Sequence, residues 1–487
     1  MEKTLNKQLN RENTGLQEKL PIKVVQFGEG NFLRAFVDYI IDKLNKQADF
    51  NAGVAVVQPL PKGMIHMLND QDGLYNLFMK GVKKGKEIQQ KETVSCIQKS
   101  LNPYDDYEAY LKLAEEESLE FVISNTTEAG IAFDENDTLE GAPHNSFPAK
   151  LTALLYRRFQ HFDGAAAKAL TIIPCELINY NADTLKEIIL KYAQLWDLGP
   201  DFQKWIEEET GFHNTLVDRI VPGYPAADID RYQKELEYKD NLIVSAEVFL
   251  LWVIEGDAKL KSKIPFDKID ENIRVVQDMQ PYRTRKVRIL NGAHTTMVPF
   301  SIMYGNETVK ETLDDDFTGK FVKKAIFEEI IPTLDLPKEE LESFASDVLD
   351  RFRNPFIKHQ LSSIALNSIS KFKVRVLPSL LAYAKDQNSL PKHLVFALAC
   401  LIRFYGDSWK GSKLPVNDDE AVVSQMQAIW KTKDYQAVSE KVLSHTGFWE
   451  QDLTEVPDLQ EAVASALKLI DEKGVQEAFQ EFEKQTN

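Results

Sequence analysis

A short apolar segment that runs into a glycine turn and then into a helical pattern is the feature that most restricts the fold of this chain. Ile22–Phe27 is a candidate buried strand, and Gly28-Glu29-Gly30 follows it directly. Apolar residues then recur at helical spacing, at Phe32, Phe36, Ile40, Ile41 and Leu44. A strand, a tight turn and a helix in this order direct backbone N–H groups at the turn, where a pyrophosphate can bind. The segment therefore predicts a Rossmann-like domain that binds a dinucleotide.

Further short strands extend this unit into a sheet. Candidate buried strands cover residues 54–57, 120–124, 169–173 and 273–276, with helical stretches between them. Short apolar strands that alternate with helices are typical of a parallel sheet covered on both faces. The strand-like halves of residues 74–98, on either side of a turn at 81–85, predict an antiparallel insertion.

The pattern changes near residue 280. Long helical periodicities with few β-branched runs dominate from there on, at residues 321–331, 341–352, 393–405 and 420–430, and residues 459–487 predict one or two surface helices. We therefore predict an α/β fold. Residues 1–280 would form a Rossmann-like, mostly parallel domain with insertions, and residues 281–487 a mainly helical substrate and catalytic domain.

Composition excludes several classes of function. A formal charge of -17 over 487 residues argues against a nucleic-acid partner, which needs a surplus of Lys and Arg. The first twenty residues lack the apolar core of a signal peptide, and no stretch reaches the ~18 apolar residues of a membrane helix. Cys96, Cys175 and Cys400 lie far apart without a CxxC pair, which predicts a cytoplasmic protein with neither disulfides nor a metal site.

The dinucleotide motif is incomplete. Leu33 and Arg34 stand near the position of the third glycine, and Gln58 stands where an acidic residue would bind the ribose hydroxyls of NAD. The choice between NAD and NADP therefore stays open at these residues. Taken alone, the motif also fits a glycine-rich turn that binds no ligand.

A second group of polar residues indicates hydride-transfer chemistry. Lys286, Asn291 and His294 are separated by five and three residues. On an α-helix, with about 100° per residue, they fall within an arc of about 140° and face one cleft. A Lys of lowered pKa acts as a general base, and Asn donates a hydrogen bond to a carbonyl or alkoxide oxygen. Taken singly, Lys286 also fits a solvated helix face and His294 an interior histidine.

This K-x4-N-x2-H pattern, with LNGAH at its centre, resembles the mannitol dehydrogenase family of polyol-specific long-chain dehydrogenases. Several other segments share the resemblance: the GEGNFLRA turn at 28–35, QDGLY at 71–75, the Thr127-Glu128 pair, VDRIVP at 217–222 and EVFLLWVIE at 247–255. The chain departs from the family pattern at Thr210, usually apolar, and at Ala182, usually glycine.

The resemblance implies roles for individual residues. Lys286 would be the general base, Asn291 and Asn181 would polarise the reacting oxygen, and His294 would orient the substrate. Glu128 would relay a proton to water, and Asp218 would bind a hydroxyl. The implied cofactor is NAD, as NADH, and its expected contacts are Phe27, Gly28, Glu29, Gly30, Asn31, Phe32, Leu33, Gln58 and Thr126.

One stretch separates the branches of this family. His359, Ser363, Asn367 and Lys371 are four residues apart and would share one helix face, where mannitol dehydrogenases tend to show Asp, Arg, Asp and Lys. This loss of acids, in a region that also carries Arg283, Arg285, Arg353 and Lys358, favours an anionic substrate, although a basic surface strip is an alternative reading. The expected substrate contacts are Asp218, Lys371, Arg283, His359 and Lys358.

RFRNPFIKHQL and SNTTEAGI resemble the uronate branch of the family. That branch implies NADH-dependent reduction of the C3 ketone of D-tagaturonate to D-altronate, in hexuronate breakdown, without a metal. Fructuronate reduction and mannitol or polyol 2-dehydrogenation are the alternatives within the family. A non-catalytic, dinucleotide-binding regulator is the alternative from a different class.

Overall fold

The computed structural model describes residues 7–406 and 408–485. The chain divides into two compact units. The first takes in the described residues up to Lys80 together with Ile88–Met279, and the second takes in Gly81–Glu87 and the described residues from Gln280 onwards. Among the described residues, no helix is both long and apolar enough to cross a membrane.

Twelve strands lie in the described chain. They are β1 (Ile22–Phe27), β2 (Gly53–Val57), β3 (Tyr75–Lys83), β4 (Lys86–Val94), β5 (Ile97–Leu101), β6 (Phe121–Ser124), β7 (Thr171–Pro174), β8 (Gly211–Phe212), β9 (Thr215–Asp218), β10 (Val244–Glu247), β11 (Leu251–Glu255) and β12 (Ile273–Val276). Six of them form one sheet in the order β5-β2-β1-β6-β7-β8, and all its pairs are parallel. This confirms the predicted parallel sheet.

The register of this sheet determines which residues meet at one edge. Phe27, at the end of β1, pairs with Val57 on one side and Ser124 on the other. Ser124 in turn pairs with Pro174. The residues that follow these strands therefore leave the sheet together at its carboxyl edge, where parallel sheets bind ligands.

Both faces of the sheet are covered, as the continuous apolar strands predict. Alternate residues of β1 point to opposite faces. Val24 belongs to one buried cluster, which contains Phe36 and Trp252, whereas Val25 and Phe27 belong to another. The helices of this unit are α1 (Arg11–Thr14), α2 (Asn31–Leu33), α3 (Tyr39–Ala48), α4 (Ile65–Asp70), α5 (Tyr107–Leu111), α6 (Phe147–His161), α7 (Asn181–Leu195), α8 (Pro200–Lys204), α9 (Ile229–Lys234) and α10 (Ala258–Lys263).

The chain has two smaller sheets besides the six-stranded one, and the tip of one hairpin, Gly81–Glu87, belongs to the second unit. The turn Lys84-Gly85 has positive φ at both residues, as a two-residue hairpin turn requires, and joins β3 to β4 where the antiparallel insertion was predicted. The strand predicted at residues 273–276 exists as β12, but its expected place in the parallel sheet is wrong. It pairs with β11 in a separate sheet of order β12-β11-β9.

The second unit is helical, as predicted. Its helices are α11 (Gln280–Arg285), α12 (Gly292–Tyr304), α13 (Val309–Asp314), α14 (Asp316–Lys324), α15 (Lys338–Phe352), α16 (Leu361–Ile364), α17 (Ser368–Arg375), α18 (Leu377–Gln387), α19 (Lys392–Phe404), α20 (Glu420–Trp430), α21 (Tyr435–Leu443), α22 (Thr446–Trp449), α23 (Leu459–Lys473) and α24 (Val475–Gln485). Most residues of α12 are buried, because it packs among α14, α16, α17 and α19.

The single helix predicted to carry His359, Ser363, Asn367 and Lys371 is wrong. His359 precedes α16, and Asn367 has a left-handed φ of 52° that ends the connection to α17. Asn adopts this conformation more readily than most residues, because its short polar side chain makes local hydrogen bonds. Ser363 and Asn367 are exposed, whereas His359 and Lys371 are half-buried.

Candidate active site

The glycine turn after β1 is tightly built. Gly28 has a φ of +117°, and its N–H donates to the Val57 carbonyl over 3.0 Å. A Cβ at Gly28 would lie 2.9 Å from the backbone oxygen of Asn125 and 3.1 Å from Leu33. Both the dihedral angle and the nearby backbone oxygen of Asn125 therefore require glycine at this position.

Gly30 has a different role. Its φ is -67°, and a Cβ there would meet nothing within 4 Å. Asn31–Leu33 begins a helix directly after it, and the first N–H groups of a helix have no carbonyl partner within that helix. A helix N-terminus directly after a glycine with open space at its Cβ position is suited to a pyrophosphate, so the N–H groups of Asn31, Phe32 and Leu33 are the ones that would hold the phosphates of NAD.

Arg34, near the position of the missing third glycine, is buried and holds the turn. Its guanidinium is 1% exposed and donates to the Glu29 carbonyl, to Asn31 Oδ1 and to the Leu242 carbonyl. The Tyr75 hydroxyl donates to the Arg34 carbonyl. The turn is therefore held from inside by an arginine, and Asn31 Oδ1 is engaged in this contact.

The other predicted cofactor contacts fall into two groups: apolar side chains that pack in the core, and a buried polar pair. The Phe27 and Leu33 side chains are buried in the core, and Phe32 stacks on Phe36. Glu29 and Gln58 are both buried and lie close to Gly63. A Cβ at Gly63 would be 2.1 Å from Glu29 Oε1 and 2.4 Å from the Gln58 side chain. Burial raises the pKa of Glu29. These two side chains support the loop after β2, and a direct role in cofactor binding stays a prediction.

The loop after β6 depends on a carboxylate that the sequence analysis missed. Glu176 is 2% exposed and accepts hydrogen bonds from the Thr126 N–H at 2.9 Å, from the Thr126 hydroxyl and from the Ser124 hydroxyl. Burial raises its pKa. Glu176 therefore sets the position of Thr126, a predicted cofactor contact. Its only signal in the sequence is its place directly beyond the end of the β7 strand.

Asn181 is placed as a structural residue within the first unit. Its amide N–H groups donate to the Pro174 carbonyl, the Glu176 carbonyl and Thr215 Oγ1, over 3.0–3.1 Å, and it has no exposed surface. Its Oδ1 accepts from the Ala182 and Thr215 N–H groups. The contacts join β7, α7 and β9, so the amide is occupied by the protein in this arrangement. Its oxyanion role stays a prediction.

Asp218 and Glu128 differ in their surroundings. Asp218 ends β9 and is half-buried, and Arg219 beside it is buried and donates to the carbonyls of Glu247 and Ala35. The conspicuous VDRIVP segment therefore includes an arginine that joins β10 to the helix after the glycine turn. Glu128 is exposed, and its relay role stays a prediction.

In the second unit, Lys286 and Asn291 lie at the two ends of a π-helical turn, Lys286–Asn291. The predicted α-helical geometry is therefore not what the structure shows at this point. Because a π-helix bonds residue i to residue i+5, it places these two residues one turn apart on the same face, and such turns are frequent at functional sites. Both side chains are half-buried. No hydrogen bond of the Asn291 side-chain amide occurs among the described residues, so this amide is available to a ligand.

His294 follows on α12 and lies against a residue that the sequence placed in the same pocket. Its ring centroid is 4.3 Å from the Phe352 ring and 5.0 Å from the His359 ring. Burial lowers the pKa of His359, which favours its neutral form at pH 7. The structure thus brings together His294, predicted to orient the substrate, and His359, a predicted substrate contact.

The predicted cations are mostly committed elsewhere. Arg285 is buried and pairs with Glu340 over 2.8 Å, and Arg353 lies 4.0 Å from Asp314. Lys358 is exposed. Arg283 is half-buried and has contacts of its own. Lys371 donates to the Ile364 carbonyl over 2.9 Å.

Comparison with known proteins assigns both units to one family. A family model described as the mannitol dehydrogenase Rossmann domain matches residues 22–268, and one described as the mannitol dehydrogenase C-terminal domain matches residues 278–471. The chain is 47% identical over 482 residues to a protein named altronate oxidoreductase from Escherichia coli O7:K1, which covers 98% of this chain and 99% of that one. A protein of the same name from Escherichia coli O17:K52:H18 matches to the same extent.

Solved structures show the same fold. D-sorbitol dehydrogenase in substrate-free form matches with a TM-score of 0.77 at 24% identity, over 94% of this chain and 95% of that one. Pseudomonas fluorescens mannitol 2-dehydrogenase, in a ternary complex with NAD and D-mannitol, matches with a TM-score of 0.62 at 19% identity, over 98% of this chain and 99% of that one.

Proposed function

Because this chain belongs to the mannitol dehydrogenase family, we propose that it catalyses the NAD-dependent interconversion of D-tagaturonate and D-altronate. The observation that carries the proposal is the 47% identity, over nearly the full length, to proteins named altronate oxidoreductase. The chain is an oxidoreductase that acts on CH–OH groups. These relatives do not favour fructuronate reduction, mannitol oxidation or a non-catalytic regulator.

The geometry of the first unit fits the cofactor. Gly28 permits the tight turn, and the open space at Gly30 leaves room for phosphate oxygens at the N–H groups of Asn31, Phe32 and Leu33. Bound NADH supplies the hydride that reaches the ketone carbon. All further steps depend on residues of this chain.

The chemistry of the second unit fits proton transfer to the same carbon–oxygen bond. The Asn291 amide donates a hydrogen bond to the oxygen as negative charge develops on it. The Lys286 ammonium then gives its proton to that oxygen, which completes the alcohol, and takes the proton back in the oxidation direction. His294 and His359 hold substrate hydroxyl groups. The π-turn supports this division of roles, because it places the amine and the amide on one face.

The proposal is tested with the purified chain, NADH and a panel of keto-uronates and ketoses, by following the loss of nicotinamide absorbance. We expect the highest kcat/KM with D-tagaturonate. Lys286→Ala should lower kcat by roughly 100- to 10,000-fold, the usual contribution of acid–base catalysis, while NADH still binds. Lys320→Ala, at an exposed lysine of the same unit, is the matched control and should keep wild-type activity. Near-normal turnover of Lys286→Ala would place the base elsewhere.

A further inference from the structure

The helix α17 carries two cations that share one side of the helix. Lys371 and Arg375 are four residues apart, and both are half-buried. Arg375 makes no hydrogen bond, ion pair or ring contact through its guanidinium with any other described residue. A half-buried guanidinium without a partner loses part of its hydration and regains nothing from the protein, which is an unfavourable arrangement in the absence of an anion.

The two cations act on each other. The pKa of Lys371 is lowered first by burial and then by the charge of Arg375, and only Asp418 acts in the opposite direction. Asp418 accepts a hydrogen bond from the Tyr405 hydroxyl and forms no ion pair with Lys371 within 4.0 Å. Burial also lowers the pKa of Arg375. Lys371 also donates to the Ile364 carbonyl over 2.9 Å, but among the described residues neither cation has a carboxylate within ion-pair distance. The pair is therefore a region of net positive charge.

The backbone at Arg375 lies beside the segment that carries Asn291. The backbone oxygen of Arg375 is 3.1 Å from the position of a Cβ at Gly292, the residue after Asn291. The carboxyl end of α17 therefore packs directly against the start of α12. Other cations of the region have partners already, since Arg285 pairs with Glu340 and Lys373 pairs with Glu450 over 2.6 Å.

We propose that Arg375, together with Lys371, binds the carboxylate of the substrate and thereby selects sugar acids over uncharged sugars. The inference rests on the proposed function. An arginine is suited to this role, because its planar guanidinium presents two parallel donors to the two oxygens of a carboxylate. Lys371 was already an expected substrate contact from the sequence, whereas no sequence pattern distinguishes Arg375 from the other cations of this region.

The test compares a charged and an uncharged ketone in the same variant. Arg375→Met is assayed with D-tagaturonate and with the uncharged ketose D-tagatose, with NADH at saturation. We expect KM for tagaturonate to rise at least tenfold with kcat within threefold of wild type, because a carboxylate remote from the reacting carbon contributes equally to ground and transition states. kcat/KM for tagatose should change less than threefold. Lys373→Met removes a neighbouring cation of the same helix that is paired with Glu450, and it should leave both substrates unaffected.

A second variant separates binding from folding. Arg375→Lys keeps the charge but loses the planar donor pair, so its KM for tagaturonate should lie between those of wild type and Arg375→Met. Equal losses on both ketones, or an unchanged KM for tagaturonate in either variant, would overturn the inference. Failure of the proposed function gives a different result, because the wild-type chain itself would then not reduce tagaturonate.

Discussion

The carboxyl group of Asp38 has no exposed surface and lies at the end of the helical segment Arg34–Asp38, which follows the glycine turn. Burial raises its pKa from 3.8 to about 7, although the hydrogen bond that Gln26 donates to it acts to lower the pKa. The pKa of Asp38 is higher in the folded chain than in the unfolded one, so its neutral carboxyl group favours folding. This contribution to stability is complete below pH 3.8 and is lost as the pH rises through about 7. Asp38→Asn should therefore gain stability over wild type between pH 4 and pH 8, by on the order of 4 kcal/mol.

Urea unfolding of both proteins at pH 4.5, 6 and 8 measures this difference. Asp49→Asn changes an exposed Asp just after the same helix, at a left-handed position that Asn also tolerates, and it controls for the general effect of net charge. A stability difference between Asp38→Asn and wild type that stays constant with pH would show that Asp38 titrates normally in the folded chain.

A sequence can single out individual residues where their type and spacing suggest chemistry, and the catalytic roles of such residues in this chain stay predictions. Lys286, Asn291 and His294 form a pattern that is readable in one line of sequence. Glu176 and Arg375 were not singled out, because the contacts of Glu176 and the proposed role of Arg375 depend on what surrounds them in space. Glu176 accepts from a loop fifty residues earlier in the chain. Arg375 is distinguished only by the lack of a side-chain partner among the described residues, which no sequence displays.

At the scale of elements, two substitutions in the glycine turn should affect different properties: one the stability of the fold, the other the affinity for NADH. Gly28→Ala forces a Cβ to within 2.9 Å of a backbone oxygen at a φ of +117°, so we expect the free energy of unfolding to fall by roughly 1–3 kcal/mol or more. Gly30→Ala meets no atom within 4 Å and should fold as stably as wild type. The new methyl group would occupy the space in front of the helix N-terminus, so NADH affinity should fall at least tenfold.

Thermal unfolding and NADH fluorescence titration distinguish these outcomes. Wild-type NADH affinity in a normally stable Gly30→Ala variant would mean that the dinucleotide does not approach this turn. A Gly28→Ala variant of wild-type stability would contradict the crowding at Asn125.

Local patterns predicted most elements and failed where a backbone departed from regular geometry. The strands at β1, β2 and β6 and the helices α15, α19 and α20 lie close to their predicted bounds. The π-turn at Lys286–Asn291 has no signature in hydrophobic periodicity, because an α-helix and a π-helix differ by less than one residue per turn. The helix predicted through His359 failed because a regular spacing of polar residues does not show that the backbone between them is helical.

At the scale of the whole molecule, strand order is the property that the sequence determines least. β12 has the apolar character of a buried strand, yet it pairs with β11 rather than with the six-stranded sheet. Pairing depends on contacts between distant parts of the chain, and periodicity carries no information on them. The change from alternating strands and helices to helices alone is a local signal, and the two units meet in the chain between Met279 and Gln280.

Three buried thiols make the two units separately observable. Cys96 and Cys175 lie in the first unit and Cys400 in the second, each with no exposed surface, and burial raises the pKa of all three. At pH 7 the folded chain should therefore resist thiol reagents, and labelling should report unfolding. A ligand that binds the folded first unit stabilises it by about 2.7 kcal/mol at 100 times its Kd. We expect NADH to move the labelling of Cys96 and Cys175 to higher urea concentrations.

Mass spectrometry of pulse-labelled samples assigns each thiol, and Cys400 is the internal comparison. A smaller shift at Cys400 than at Cys96 shows that the first unit binds the dinucleotide and unfolds on its own, whereas equal shifts show that both units unfold together. If saturating NADH leaves the urea midpoint of Cys96 unchanged, the glycine turn is not the dinucleotide site. Rapid labelling of Cys96 or Cys175 without urea would contradict their burial in the first unit.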